Sequence, residues 1–323
     1  METVNICKNY FDLLQEINQQ YGIQGKSIYL HRASGGRVYY INCLDNRKVL
    51  KLYYPMHTEA AIQSTRIITY LDNCEFPIVK IIPSLSGEKF ITLNIPEGNC
   101  IGVLFDFAKG SCIGFLHRWR DNKKPLIHPK AKEFGKQVGL MHRLMDGYNE
   151  VIINKGKERY IDDLIWLLRR DGHDKMKICD IEDYGNELWE MVKKLPTGFC
   201  HGDMHTGNTV YHHSQFTWMD FDRAAISHPI IDIAWLTDGS DFNSFDDNAL
   251  ERSRSLFDKL YEGYSMERSL TQSEISAVFH CTAIIHYDLL ASITIKNNDD
   301  ISRTLLDEQH NWLMRWRELC NKM

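Results

Sequence analysis

Phe199-Cys200-His201-Gly202-Asp203-Met204-His205-Thr206-Gly207-Asn208 runs into Thr209-Val210-Tyr211 and, a few polar residues later, into Phe216-Thr217-Trp218-Met219-Asp220-Phe221-Asp222. Thr209 to Tyr211 and the apolar run Phe216 to Met219 both read as strands. A turn at Ser214-Gln215 would fold them into a hairpin and bring Asn208 close to Asp220. Asp203 and Asn208 share the loop ahead of it. A hard divalent cation takes oxygen ligands, and Asn208 and Asp220 can supply two, with phosphates and water completing the shell. Asp203 is then free to orient an attacking hydroxyl and take its proton. That division of labour suits phosphoryl transfer. A plain polar loop between strands would need four coupled positions to match by accident.

The spacing resembles the catalytic segment of protein kinases, H-R-D-x-x-x-x-N with a later D-F-G. Here the corresponding residues are His201-Gly202-Asp203 with Asn208, then Asp220-Phe221-Asp222. H-G-D-x-H-x-x-N followed by an apolar-Asp segment is similar to the aminoglycoside phosphotransferase and choline kinase superfamily. That resemblance implies an α+β, two-lobed protein-kinase-like fold, with a β-rich N-lobe over residues 1–107 and a mostly helical C-lobe over 108–323. It implies ATP or GTP as co-substrate with Mg2+. It also implies a later Asp that braces the catalytic loop, a place Asp232 fits in His228-Pro229-Ile230-Ile231-Asp232-Ile233-Ala234-Trp235. His201 and His205 become supports of the loop. A zinc site would want a third protein ligand at usable spacing, and none is found.

Upstream, Tyr10, Phe11, Leu14, Ile17 and Tyr21 recur at helical spacing and predict a helix ending near Gly22. Ser27 to Leu30 and Val38 to Ile41 read as strands around Ser34-Gly35-Gly36, the expected phosphate-covering turn, where glycine lets backbone amides approach an anion. Asp45-Asn46-Arg47 is a hairpin turn, so Val49-Leu50-Lys51-Leu52-Tyr53 is the third strand. The resemblance makes Lys51 the phosphate-binding lysine and Glu59 its partner on the next helix, with Thr58 as N-cap. Ile78 to Pro83, Lys89 to Leu93 and Ile101 to Phe107 are further strands. The resemblance implies a hinge that reads the purine edge through backbone groups, at Phe105 to Phe107.

Downstream, Phe134, Val138, Met141 and Met145 form one helical stripe, with His142 as a packing residue. Helices are predicted over Tyr160 to Arg170, Ile181 to Leu195, Phe245 to Tyr264, Gln272 to Ile295 and Ile301 to Cys320, and a loop over Asp121 to Pro129. The second acid of Asp220-Phe221-Asp222 departs from D-F-G. Asp222 either widens metal coordination or pairs with Arg223 or a substrate amine. Trp235, Asp238 and Asp241, with Tyr261, Tyr264, Tyr287 and Asp288, are candidate acceptor residues for an amine-bearing substrate. The competing reading is a solvated loop beside the core of a helical lobe.

The chain has 323 residues, 43% hydrophobic and 25% charged, with a net charge of -5. That is enough for one large or two modest domains. No basic stripe points to nucleic acid and no polybasic segment to a membrane surface. No apolar run is expected to reach the roughly 18 residues of a membrane span. Nine cysteines without C-x-x-C pairs fit reduced thiols and a cytoplasmic protein. The expected function is ATP- or GTP-dependent transfer of a phosphoryl group to a hydroxyl of a small molecule. The alternatives are a protein Ser/Thr kinase of the same family and a catalytically silent pseudokinase acting as a scaffold.

Overall fold

A computed structural model of the chain describes residues 4–5, 10–33, 36–95, 98–112, 117–118, 126–127, 129–242, 244–297 and 302–323. The contacts divide it into two units. One comprises Met1–Cys112 with Gly207–Arg223, the other Ile113–Thr206 with Ala224–Met323.

The first unit is a seven-stranded sheet with two helices. Its elements are β1 (Val4–Asn5), α1 (Tyr10–Tyr21), β2 (Gly25–Ala33), β3 (Arg37–Cys43), β4 (Arg47–Tyr53), α2 (Thr58–Asn73), β5 (Ile81–Ile82), β6 (Ile91–Ile95) and β7 (Gly98–Asp106). The strand order is β1-β6-β7-β4-β3-β2, with β5 also on β7. All pairs are antiparallel except β1 with β6. Of the predicted stripe of α1, Tyr10 and Phe11 are exposed, Gly22 closes the helix at φ 63°, and Leu14, Ile17 and Tyr21 are buried. They pack with Ile41, Leu50, Leu52, Leu93 and Leu104 into one cluster. Each such side chain contributes about 1.5–3 kcal/mol by leaving water. β7 is buried from Cys100 to Phe105, as a central strand with both faces covered should be.

Three local expectations shift. The Ile78 to Pro83 stretch keeps only β5 as strand, since Pro77 and Pro83 bracket it, and Ile78 makes a single bridge to Trp218. Thr58 is the first residue of α2 rather than its cap, and its hydroxyl donates to the Pro55 carbonyl at 2.8 Å. The hairpin pairs Thr209–His212 with Gln215–Trp218, so its two-residue turn is His213-Ser214. Both turn residues have positive φ, 46° and 65°, as a type I′ turn requires. This hairpin groups with the first unit through Val79 N–H to the Trp218 carbonyl and Trp218 N–H to the Pro77 carbonyl, both 2.9 Å.

The second unit is mostly helical: α3 (Ala131–Met145), α4 (Asp163–Arg170), α5 (Lys175–Val192), α6 (Ile230–Thr237), α7 (Ala249–Tyr264), α8 (Gln272–Asn297) and α9 (Arg303–Cys320). The chain is thus α+β, with a β-rich N-lobe and a helical C-lobe. Of the predicted loop Asp121 to Pro129, residues 121–125 and 128 lie outside the described residues, and Leu126–Ile127 is instead a short strand paired antiparallel with His117–Arg118. α8 exceeds the expected limit on apolar runs: by length and composition it could cross a membrane. However, 72% of its most apolar stretch is buried inside the structure, and Glu274, His286 and Asp288 along it are buried with partners. It is the core helix of its unit.

α3 and α7 pack backbone against backbone. A Cβ on Gly263 would lie 1.8 Å from the Lys132 carbonyl oxygen, and one on Gly135 would lie 2.0 Å from that of Leu260. Gly263→Ala must therefore force the helices apart, and we expect it to cost about 1–3 kcal/mol. A fall in the midpoint of thermal unfolding checks this, and an unchanged midpoint contradicts the close approach.

Candidate active site

In the first unit, β4 carries Lys51 into a cavity of about 380 Å3. Its walls are apolar (Val38, Val49, Ile68, Val79, Phe105, Phe107, Met219) and a few polar groups converge on it, including Lys51, Ser64, Asn208 and Asp220. That mixture suits a small organic ligand with a charged end. The Lys51 ammonium lies 2.8 Å from Asp220 Oδ1 and 2.5 Å from Asp222 Oδ2. The Tyr53 hydroxyl donates to Asp222 Oδ1 at 2.9 Å. Burial works to lower the pKa of Lys51, but Tyr53, Asp222 and Asp220 override it and the pKa is raised. Burial, reinforced by Asp220, pushes Asp222 up against the opposing pull of Lys51.

Asp220 has φ 66°, a left-handed conformation unusual for a residue with a side chain. Phe221, fully buried, anchors the turn. The hairpin register sets Asn208 beside Met219, whose N–H donates to the Asn208 carbonyl at 2.9 Å. Asn208 and Asp220 both line the cavity, so the hairpin does bring them to one place. Their oxygens suit a hard divalent cation. Among the described residues no group of three His, Cys, Asp or Glu is arranged to hold a metal alone. Ligands from outside these residues would have to complete the shell.

Glu59 is not brought to Lys51. It is exposed in the first turn of α2, and among the described residues no ion pair joins the two. Ser34 and Gly35 lie outside the described residues. At Gly36, φ is 153°, and a Cβ would meet the Leu52 carbonyl oxygen at 2.4 Å, so close approach to β4 demands glycine there. Phe105 and Phe107 line the cavity, and the intervening Asp106 N–H donates to the Lys80 carbonyl at 2.9 Å.

In the second unit, the strand Gly198–Cys200 pairs with Ala225–Ser227 and fixes the start of the Asp203 loop. Asp232, 1% exposed, accepts the His201 N–H at 2.6 Å and the Gly202 N–H at 3.1 Å. His142 Nε2 lies 3.2 Å from the same carboxylate, and its Nδ1 lies 3.0 Å from the Tyr264 hydroxyl. A carboxylate only accepts, so Nε2 is the donor to Asp232. Gly202 has φ 76°. The Asp203 carboxylate is partly exposed, 3.6 Å from His205 Nε2.

The proposed acceptor cluster comes apart. Asp288 is buried against Lys155 at 2.9 Å, the Tyr287 hydroxyl donates to the Ile181 carbonyl at 2.6 Å, and Tyr264 belongs to the His142 network. These are core groups because the inward faces of α7 and α8 carry them. Asp238 accepts the Ser240 N–H at 2.8 Å and lies 3.6 Å from His286 Nε2. Burial would raise its pKa, but His286 and Ser240 hold it low. Trp235 is half-buried and Asp241 exposed. Tyr53 was missed, although it follows Lys51 at the strand period of two and so shares its face.

The Phosphotransferase enzyme family matches residues 32–268. The chain belongs to this family. No curated protein sequence matches it. Among solved structures, an amicoumacin kinase in complex with AMP-PNP, Ca2+ and Ami superposes with a TM-score of 0.70 at 17% identity, covering 96% of this chain and 93% of that one. A microcompartment-associated aminopropanol kinase gives 0.68 at 14% identity, covering 96% of each. A spectinomycin phosphotransferase in complex with ADP and spectinomycin gives 0.63 at 15%, covering 97% and 98%. At these identities the likeness is one of fold.

Proposed function

We propose that this phosphotransferase moves the γ-phosphoryl group of ATP or GTP to a hydroxyl of a small molecule, with Mg2+. The observation that carries the reading is the meeting of Lys51, Asn208 and Asp220 on one apolar-walled cavity. Lys51 steadies the nucleotide phosphates. Asn208 and Asp220 hold the cation, which neutralises charge developing on the transferred group. Asp203 orients the acceptor hydroxyl and takes its proton, on a loop whose amides Asp232 holds in place. Phe105 and Phe107 flank the purine. Catalysis on this plan is positioning and charge neutralisation.

The acceptor is amine-bearing in this proposal. Once Tyr264, Tyr287 and Asp288 are given to the core, the support is the order of residues in the chain, where Asp238 and Asp241 follow Trp235 and the catalytic segment. The aminopropanol kinase of the same fold is named for an amine-bearing acceptor. Carboxylates would hold an ammonium by charge-assisted hydrogen bonds, and an aromatic face would add about 0.5–2 kcal/mol. The test is release of nucleoside diphosphate from Mg-ATP and Mg-GTP with matched amine-bearing and neutral alcohols. Preference for the amines, with a raised acceptor KM in Asp238→Asn/Asp241→Asn, is the expected result. Preference for neutral or anionic acceptors, or an unmoved KM, removes the amine and leaves the phosphotransferase.

A further inference from the structure

We propose that Asp222, held by the Tyr53 hydroxyl, is the positioning residue for Lys51, in the role for which the resemblance named a carboxylate on α2. The inference rests on the phosphotransferase reading above and assigns the acid that the motif left open.

The first argument is elimination. α2 contains two acids, Glu59 and Asp72. Glu59 is exposed in its first turn, and Asp72 pairs with Lys80. Where α2 lines the cavity it presents Ser64 and Ile68. Ser64 is 1% exposed, and its hydroxyl finds no hydrogen-bond partner among the described residues. The helix thus offers Lys51 no anchor.

The second argument is occupancy. Both oxygens of Asp222 are engaged, Oδ2 by Lys51 at 2.5 Å and Oδ1 by the Tyr53 hydroxyl at 2.9 Å. Tyr53 is 2% exposed, and the Lys51 ammonium also sits 4.9 Å from its ring centre. A carboxylate fixed from two sides by groups on β4, the buried Tyr53 and the half-buried Lys51, is a rigid support. Asp220, the second partner of Lys51, is the one the proposed function assigns to the cation. When Asp220 turns to that task, Asp222 still holds the ammonium. Because Lys51 and Tyr53 are neighbours on one strand, the anchor moves with the lysine.

A double-mutant cycle on the full-length enzyme tests this. Asp222→Asn alone should lower kcat about 10-fold or more, as loss of one partner of a half-buried, hydrogen-bonded charge pair at a reacting site does. By charge alone, removing an anion near phosphates would tighten nucleotide binding, so an accompanying loss of nucleotide affinity reports a misplaced lysine. In a Lys51→Met background the same change should alter kcat by less than about 2-fold, because the group it positions is gone. Tyr53→Phe should lower kcat about 3- to 10-fold and lose its effect in the same background. It carries the cycle if Asp222→Asn does not fold. A readout independent of turnover is the Mg2+ affinity of the enzyme–ADP complex by calorimetry, which should stay within about 3-fold of the parent in Tyr53→Phe and Asp222→Asn, against the 10- to 100-fold losses seen when a metal site is disturbed. Effects that add in the Lys51→Met background, or a 10-fold or greater fall in Mg2+ affinity, overturn the proposal. Lys51→Met turning over like the parent would instead defeat the phosphotransferase reading itself.

Discussion

Asp203→Asn is expected to lower turnover on the order of 10²-fold or more while nucleotide affinity stays near the parental value. The substitution keeps shape and hydrogen-bonding reach but removes the basic oxygen that would take the acceptor's proton. It should cost little stability, because the loop is held from elsewhere. Asp232 grips the His201 and Gly202 amides, and His142 and Tyr264 back up that carboxylate. Asp203 is partly exposed and contributes none of those bonds. Steady-state kinetics beside calorimetric titration of nucleotide separate the two quantities. Parental turnover would show that Asp203 is not the base. A matching loss of nucleotide affinity would show that its role lies in binding.

Asp220→Asn is expected to weaken binding of the magnesium nucleotide at least about 10-fold, a loss seen even for residues that only support metal ligands. It removes an anionic oxygen from the proposed cation site and also one of the two carboxylates on Lys51. Asn is the better probe than Ala. The residue sits at φ 66°, a region Asn enters readily and Ala does not, so Asp220→Ala would add backbone strain to the lost ligand. Without Mg2+ the nucleotide affinity of Asp220→Asn should fall little, since the missing group met the phosphates through the cation. Calorimetry with and without Mg2+ measures both. Equal affinity to the parent in Mg2+, with parental activity, would count against a metal role.

What could be read from the chain was local. The stripe of α1 and that of α3 follow from a 3.6-residue period, and Phe134, Val138, Met141 and Met145 are all buried. Lys51, Asn208 and Asp220 could be chosen because motif spacing ties each to a strand or its end. What could not be read was set by distant partners. β1 is two residues long and exists through pairing with β6. α6 is eight residues long and apolar on every side except at Asp232 and Thr237, so it has no periodicity to announce a helix. The hairpin turn was displaced by one residue because neither His213 nor Ser214 carries the glycine or asparagine that usually marks positive φ. Glu59 was matched to Lys51 by order in the chain, yet the ammonium lies against an acid far along the sequence that only the folded unit brings near. Tyr264, Tyr287 and Asp288 resembled a ligand cluster because aromatic and acidic residues look alike in a pocket and in a helical core, and only their partners tell the two apart.

The central claim is that this chain transfers a phosphoryl group from a nucleotide to a hydroxyl. Phosphorus NMR on the full-length protein, with Mg-ATP or Mg-GTP and an amine-bearing alcohol pool, tests it most directly. The account predicts a new phosphate monoester resonance that grows in step with nucleoside diphosphate and is missing with Asp203→Asn. Nucleotide that stays intact with every acceptor, or diphosphate that forms with inorganic phosphate alone at the same rate in parent and variant, would contradict it.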